Sequence, residues 1–241
     1  MKIAIVYFTY SGDFEIINKS YKAIERLMKN YPNITIDTYI CDDLNNPLPE
    51  IPKFGTYMQT DWERNNNLNG FENIKGIMSV YNILAQQDYT WIIKCDCDTF
   101  INNLDWLFFH DSSRTILIGR RTNMSYCGGN LYAISAKLSF SFLDLLNDKN
   151  ICERIKKGKG REDKLIYTLA ISTCYNISIN PKLHEFDNKF TCLFLHKNTL
   201  YNITDAVQYP FVDFRPSIFD RDTAVQRMQE YIDKLKELNL Y

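Results

Sequence analysis

The sequence predicts one α/β domain: a mixed, Rossmann-like central sheet flanked by helices. Three observations carry that prediction. The chain has 241 residues, 45% of them hydrophobic, enough to fill the core of one such domain. It opens with a strand, a helix and a second strand joined by short connections, the pattern of a βαβ unit. Further on, the apolar run Trp91-Ile92-Ile93-Lys94-Cys95 leads directly into two aspartates, Asp96 and Asp98.

Residues 2–8 are almost wholly apolar and suit the centre of a sheet. Thr9 to Asp13 is a turn. From Phe14 to Met28 the apolar residues Ile16, Ile17, Tyr21, Ile24, Leu27 and Met28 recur at helical spacing. Pro32 and its asparagine neighbours end that helix, and residues 34–40 alternate as a strand. Residues 44–70, with Pro47, Pro49, Pro52, Gly55 and three successive asparagines, predict a long irregular loop beside the cleft. Ile74, Ile77, Met78, Tyr81, Ile83 and Leu84 give a helical stripe over 73–85. The strand at 91–95 follows, then a helix over 99–109, a strand at 115–119, a strand after Gly128 and Gly129, and a helix over 136–146. Residues 149–161 carry Arg154, Lys156, Lys157, Lys159 and Arg161 and predict a solvated basic loop, or a patch for an anionic acceptor. Glu162-Asp163 opens a helix running to Cys174. Residues 177–179 and 190–195 are strand-like. The chain ends in an amphipathic helix over 220–240, with Val225, Met228, Ile232, Leu235 and Leu238 as its seam. That seam predicts packing on the domain, with a homodimer contact as the alternative.

Charge and cysteine usage exclude several classes. A net charge of −1 gives no basic field for nucleic acid. Seven cysteines without paired spacing indicate neither a zinc site nor a disulfide framework. No apolar run is long enough to span a bilayer, and the first strand begins at once. The expectation is a cytoplasmic protein, with peripheral membrane attachment as the alternative.

The chemistry concentrates at Asp96 and Asp98. A buried strand should not end in two uncompensated carboxylates, because desolvating them is costly. A divalent cation carrying a polyphosphate would balance them, since hard cations take oxygen ligands. The plainer reading is a turn, with Asp98 capping the helix after it. In open α/β sheets ligands bind beyond the carboxyl ends of the strands. That puts Thr9, Tyr10 and Asp42 on the binding edge, as candidates for base and ribose contacts. Lys75 and Lys94 are candidates for the phosphates. Gly128 and Gly129 allow close approach of backbone to a ligand. Glu162 and Asp163 suit the positive end of a helix, which is their structural reading.

An apolar strand, Asp-x-Asp and aromatic residues after it resemble the donor site of nucleotide-sugar glycosyltransferases of the GT-A type. Four segments in order resemble the fringe and β-1,3-galactosyltransferase-like members. They are the helix from Ile74-Lys75 with the strand into Asp96-Cys97-Asp98, then Gly128-Gly129-Asn130-Leu131-Tyr132-Ala133-Ile134-Ser135, then Glu162-Asp163, then His196. The likeness covers roughly residues 70–200. Cys97 stands where the family has a third acid, and Arg161 where it has proline.

The resemblance implies a single GT-A domain: a donor half over 1–110, an acceptor and catalytic half over 111–219, and the C-terminal helix over 220–241. It implies metal-dependent, inverting transfer of a sugar from a nucleotide-diphosphate donor, UDP-linked first, to a hydroxyl of a glycan or glycoconjugate. Asp98 and His196 would ligate Mn²⁺ or Mg²⁺. Asp96 would contact the ribose or stand in or behind the metal shell. Asp163, or else Glu162, would be the base. Two alternatives stay open: a nucleotidyltransferase making sugar nucleotides, and an inactive nucleotide-sugar-binding module. The turn at residues 9–13 lacks the Gly-rich, basic loop that a nucleotidyltransferase wants.

Overall fold

The computed structural model describes residues 1–58, 60, 70–121, 127–157, 162–179, 207, 209–214 and 221–241. Strands β1 (Lys2–Thr9) and β2 (Thr35–Asp42) run parallel, joined by a 3-10 turn (Ser11–Asp13) and helix α1 (Phe14–Asn30). β3 (Thr56–Met58) adds to the outer edge of β2. Helix α2 (Gly70–Ala85) then leads into β4 (Trp91–Cys95), which lies parallel to β1 on its other side. β5 (Thr99–Ile101) and α3 (Asp105–Phe108) follow, then β6 (Thr115–Arg121) and β7 (Cys127–Ser135). Helices α4 (Phe140–Asn147), α5 (Lys149–Lys157) and α6 (Glu162–Ile171) precede β8 (Asn176–Ile179). A short β9 (Phe211–Asp213) pairs with β5 as a separate antiparallel ribbon, and helix α7 (Arg221–Glu237) comes last.

The large sheet has the order β3-β2-β1-β4-β7-β6-β8, with β7 running against its described neighbours. The chain moves outward from β1 to β3 and then returns to β4 on the opposite flank. That reversal opens a crevice at the carboxyl ends of β1 and β4, where ligands of open α/β sheets bind.

Alternation along the strands divides the core into two layers. Ile3, Ile5 and Tyr7 of β1 and Trp91, Ile93 and Cys95 of β4 face the layer built with α1 and α7. Ala4, Val6, Phe8 and Ile92 face the layer built with α2, α4 and α6. Lys94 shares the parity of Ile92 and is buried on that second side.

Several expectations are corrected. No single helix spans 99–109: Thr99–Ile101 is a strand, because these β-forming residues find a partner in β9, about a hundred residues away. The helix is confined to four residues after Asn102 and Asn103. The basic stretch forms α5 over residues 149–157 instead of a loop. Asp148 accepts the backbone N–H groups of Asn150 and Ile151 at its start, and Ile151 and Cys152 pack against the core. The described part of the long loop contains β3. Ile83, counted in the stripe of α2, is exposed. Ala224, Met228, Tyr231, Ile232 and Leu235 of α7 are buried, packing within the same core layer as α1, whereas Leu238 lies partly exposed beyond the helix.

Candidate active site

The carboxyl end of β4 makes a tight turn. The Thr99 N–H donates to the Asp96 carbonyl at 3.0 Å, and the Asp96 N–H donates to the Asn130 carbonyl of β7 at 2.8 Å. The turn thus holds both aspartates at the crevice, but in different settings. Asp96 is 41% exposed at its side chain and forms a close ion pair with Lys94. Asp98 lies deeper. One of its carboxylate oxygens, Oδ1, is buried without a hydrogen-bond partner among the described residues. Burial pushes the Asp98 pKa well above the carboxylate range; Asp213 and Asp96 add to this and Arg221 opposes it. The main chain of Asp98 is fixed by the Phe214 N–H at 2.7 Å.

Lys94 joins three elements. Its ammonium contacts Asp96 Oδ1, the Gly129 carbonyl at 2.6 Å and Glu162 Oε1 at 3.5 Å. Burial works against the charge, but the two carboxylates outweigh it and hold the pKa above that of an ordinary lysine. Tyr132 donates to Glu162 Oε1 at 3.3 Å, and Tyr81 of α2 donates to Tyr132 at 3.3 Å. Lys94, Asp96, Gly129 and Glu162 therefore come together as one cluster. Lys94 directs its donors to oxygens of the protein itself.

A second group forms the edge at β1. Thr9 Oγ1 donates to Asp42 Oδ1 at 2.9 Å, and Asp42 Oδ2 receives the Leu48 N–H at 2.8 Å. Both side chains are buried, and their bonds fasten the loop after β2 to the crevice. The Tyr10 N–H donates to Asp13 Oδ2 at 3.2 Å. Arg221, from the first turn of α7, reaches across to pair with Asp13 at 2.7 Å and to donate to the Tyr10 hydroxyl. The ring of Tyr10 folds over Gly12, where an added Cβ would stand 2.8 Å from it. A side chain at position 12 would displace that ring.

Of the other sequence candidates, Gly128 is buried within β7 and Lys75 is exposed on α2. Asp163 sits in the first turn of α6, but its side chain lies outside the described residues, as does His196. Four further residues belong to the site. Asp213 of β9 receives a hydrogen bond from Asn130 Nδ2 at 3.0 Å. Asn130, Asp13 and Arg221 complete the lining. The legible signal for Arg221 was a cation in the first turn of a helix, where the dipole disfavours it. Asp213 follows an apolar pair as Asp96 follows a strand, which was a fainter mark.

The donor chemistry fits a hard divalent cation. The set around Asp98 is oxygen-rich, and its buried Oδ1 is an acceptor with no donor among the described residues. Among the described residues no three His, Cys, Asp or Glu side chains form a complete ion site, and the proposed histidine lies outside them. Among the described residues no helix is long and apolar enough to cross a membrane.

No family model matches the chain, and no curated protein matches it. Solved structures do. The galactosyltransferase LgtC, in complex with donor and acceptor sugar analogs, is 13% identical with a TM-score of 0.52, over 97% of this chain and 96% of that one. A glycosyltransferase involved in glycosylation of the major capsid of PBCV-1 is 13% identical with a TM-score of 0.50, over 95% of this chain and 100% of that one. At these identities the likeness establishes the fold, that of GT-A-type glycosyltransferases, along nearly the whole chain.

Proposed function

We propose that the protein transfers a sugar from a nucleotide-diphosphate donor, UDP-linked first, to a hydroxyl of a glycan or glycoconjugate, with inversion at the anomeric carbon. The observation that carries this reading is the acidic turn at the crevice, with its buried Asp98 oxygen that has no hydrogen-bond partner among the described residues. The GT-A fold supports it. The fringe and β-1,3-galactosyltransferase-like resemblance supplies the finer assignment.

Asp98 and His196 would hold Mn²⁺ or Mg²⁺, with Asp96 beside them. A bound cation supplies Lewis-acid neutralisation of the charge left on the departing nucleotide diphosphate. Asp96, paired with Lys94 through Oδ1, keeps its side chain partly exposed, where a ribose hydroxyl or the metal shell can use it. Thr9, Asp42 and Tyr10 shape the edge on which the nucleoside rests. Gly128 and Gly129 bring backbone close to the sugar.

Inversion requires a base on the acceptor side to take the proton of the attacking hydroxyl. Glu162 and Asp163 begin the helix on that side. Glu162 is engaged by Tyr132 and approached by Lys94, which supports assigning the base to Asp163. The positive end of α6 keeps an acid there ionised and ready to accept a proton.

The direct test incubates the full chain with Mn²⁺ and a panel of nucleotide sugars, scoring nucleotide release and the anomeric configuration of the product by NMR. One donor should be consumed, with inverted product. Release with no donor would end the reading. Asp163→Asn should keep donor affinity and lose about 10²- to 10⁴-fold in turnover; near-normal turnover would clear Asp163 of the base role.

A further inference from the structure

We infer that Lys94 is a positioning residue that couples the two halves of the site, passing the arrival of a divalent cation at the acidic turn to the helix that carries the base. The inference rests on the sugar-transfer reading. One buried ammonium lies between carboxylates of opposite halves. Asp96 belongs to the donor turn, and Glu162 to the first turn of α6. The sharing is unequal, because Lys94 contacts Asp96 closely and stands 3.5 Å from Glu162. Its third oxygen, the Gly129 carbonyl, is fixed in β7 and cannot follow a shift.

A divalent cation at the turn competes with Lys94 for Asp96 and repels the ammonium. Burial bars the ammonium from water, so its remaining counter-charge among the described residues is Glu162. Closer pairing there, added to the bond from Tyr132, tightens the turn that begins with Glu162 and contains Asp163. Binding free energies are reciprocal, so ordering of α6 must in turn favour the cation.

That reciprocity gives two variants effects of opposite sign. Lys94→Met removes a positive charge beside the turn and should tighten Mn²⁺ binding, measured by calorimetry with UDP present, by roughly three- to tenfold. Glu162→Gln leaves the ammonium without its second carboxylate and should weaken Mn²⁺ binding by roughly two- to fivefold. Hydrogen exchange supplies a second readout. The amides of residues 166–169 bond the carbonyls of 162–165 in a helix. Their protection should rise with Mn²⁺ in the unaltered protein and in neither variant.

A Lys94 with only a packing role would weaken binding when replaced and would not invert the sign. Weaker or equal Mn²⁺ affinity in Lys94→Met overturns the inference. So does unchanged affinity in Glu162→Gln, which tests it even where Lys94→Met fails to fold. If the unaltered protein binds Mn²⁺ and the variants match it, the coupling alone falls. If it binds none with UDP present, the sugar-transfer reading falls and takes the coupling with it.

Discussion

Asp96 and Asp98 are two residues apart on one turn, yet their carboxylates have different electrostatic settings. Asp96 is partly accessible and carries a buried ammonium as its partner. Asp98 faces other acids, with Arg221 as an opposing charge, and its buried Oδ1 has no hydrogen-bond donor among the described residues. A compensated carboxylate contributes to the fold by itself. An uncompensated one costs stability and is retained for what it binds. Under the proposed reading, that difference gives Asp98 to the ligand and Asp96 partly to the architecture.

Replacing each in turn is the strongest way to break that contrast. Asp98→Asn should lose about 10²- to 10³-fold in turnover under saturating donor and Mn²⁺. The metal-free variant should nevertheless be more stable by about 1 kcal/mol, since a neutral amide replaces a carboxylate without a donor. Asp96→Asn should cost less turnover, about tenfold, and should lower stability by about 1–3 kcal/mol because Lys94 loses its nearest counter-charge. Chemical denaturation of both variants checks the signs. Two shifts in the same direction would remove the distinction.

The pH dependence sharpens it further. Asp98 binds its proton more tightly in the folded chain than in the unfolded one. As pH rises through the raised folded pKa, the metal-free protein must give up that proton and lose stability. Mn²⁺ needs the ionised form, so its affinity should climb over the same interval, and thermal melts with and without Mn²⁺ should diverge as pH increases. Parallel curves would mean that Asp98 is not where the ion sits. The smallest effect is expected at Tyr132→Phe, which removes the hydroxyl that donates to Glu162 and accepts from Tyr81, and should cost about 1 kcal/mol by denaturation.

The sheet and the acidic turn were legible because they are written in local pattern. A run such as Ile3 to Phe8 can be little other than a central strand, and two aspartates after Trp91 to Cys95 cannot pass unnoticed. What escaped depends on distant partners. Thr99 to Ile101 read as the start of a helix, and became a strand when Phe211 to Asp213 supplied its other half. Lys94 looked like a phosphate contact because a lone lysine near a polyphosphate site usually is. Only the folded chain brings Gly129 and Glu162 to it. Arg221 reaches Asp13 across more than two hundred residues, a contact no spacing encodes.

The most direct test of the central claim is calorimetric titration of UDP into the protein, with and without Mn²⁺, in the unaltered chain and in Asp98→Asn. Mn²⁺ should tighten UDP binding at least tenfold in the unaltered chain and leave it unchanged in the variant. Equal UDP affinity with and without Mn²⁺ in the unaltered chain would contradict the claim.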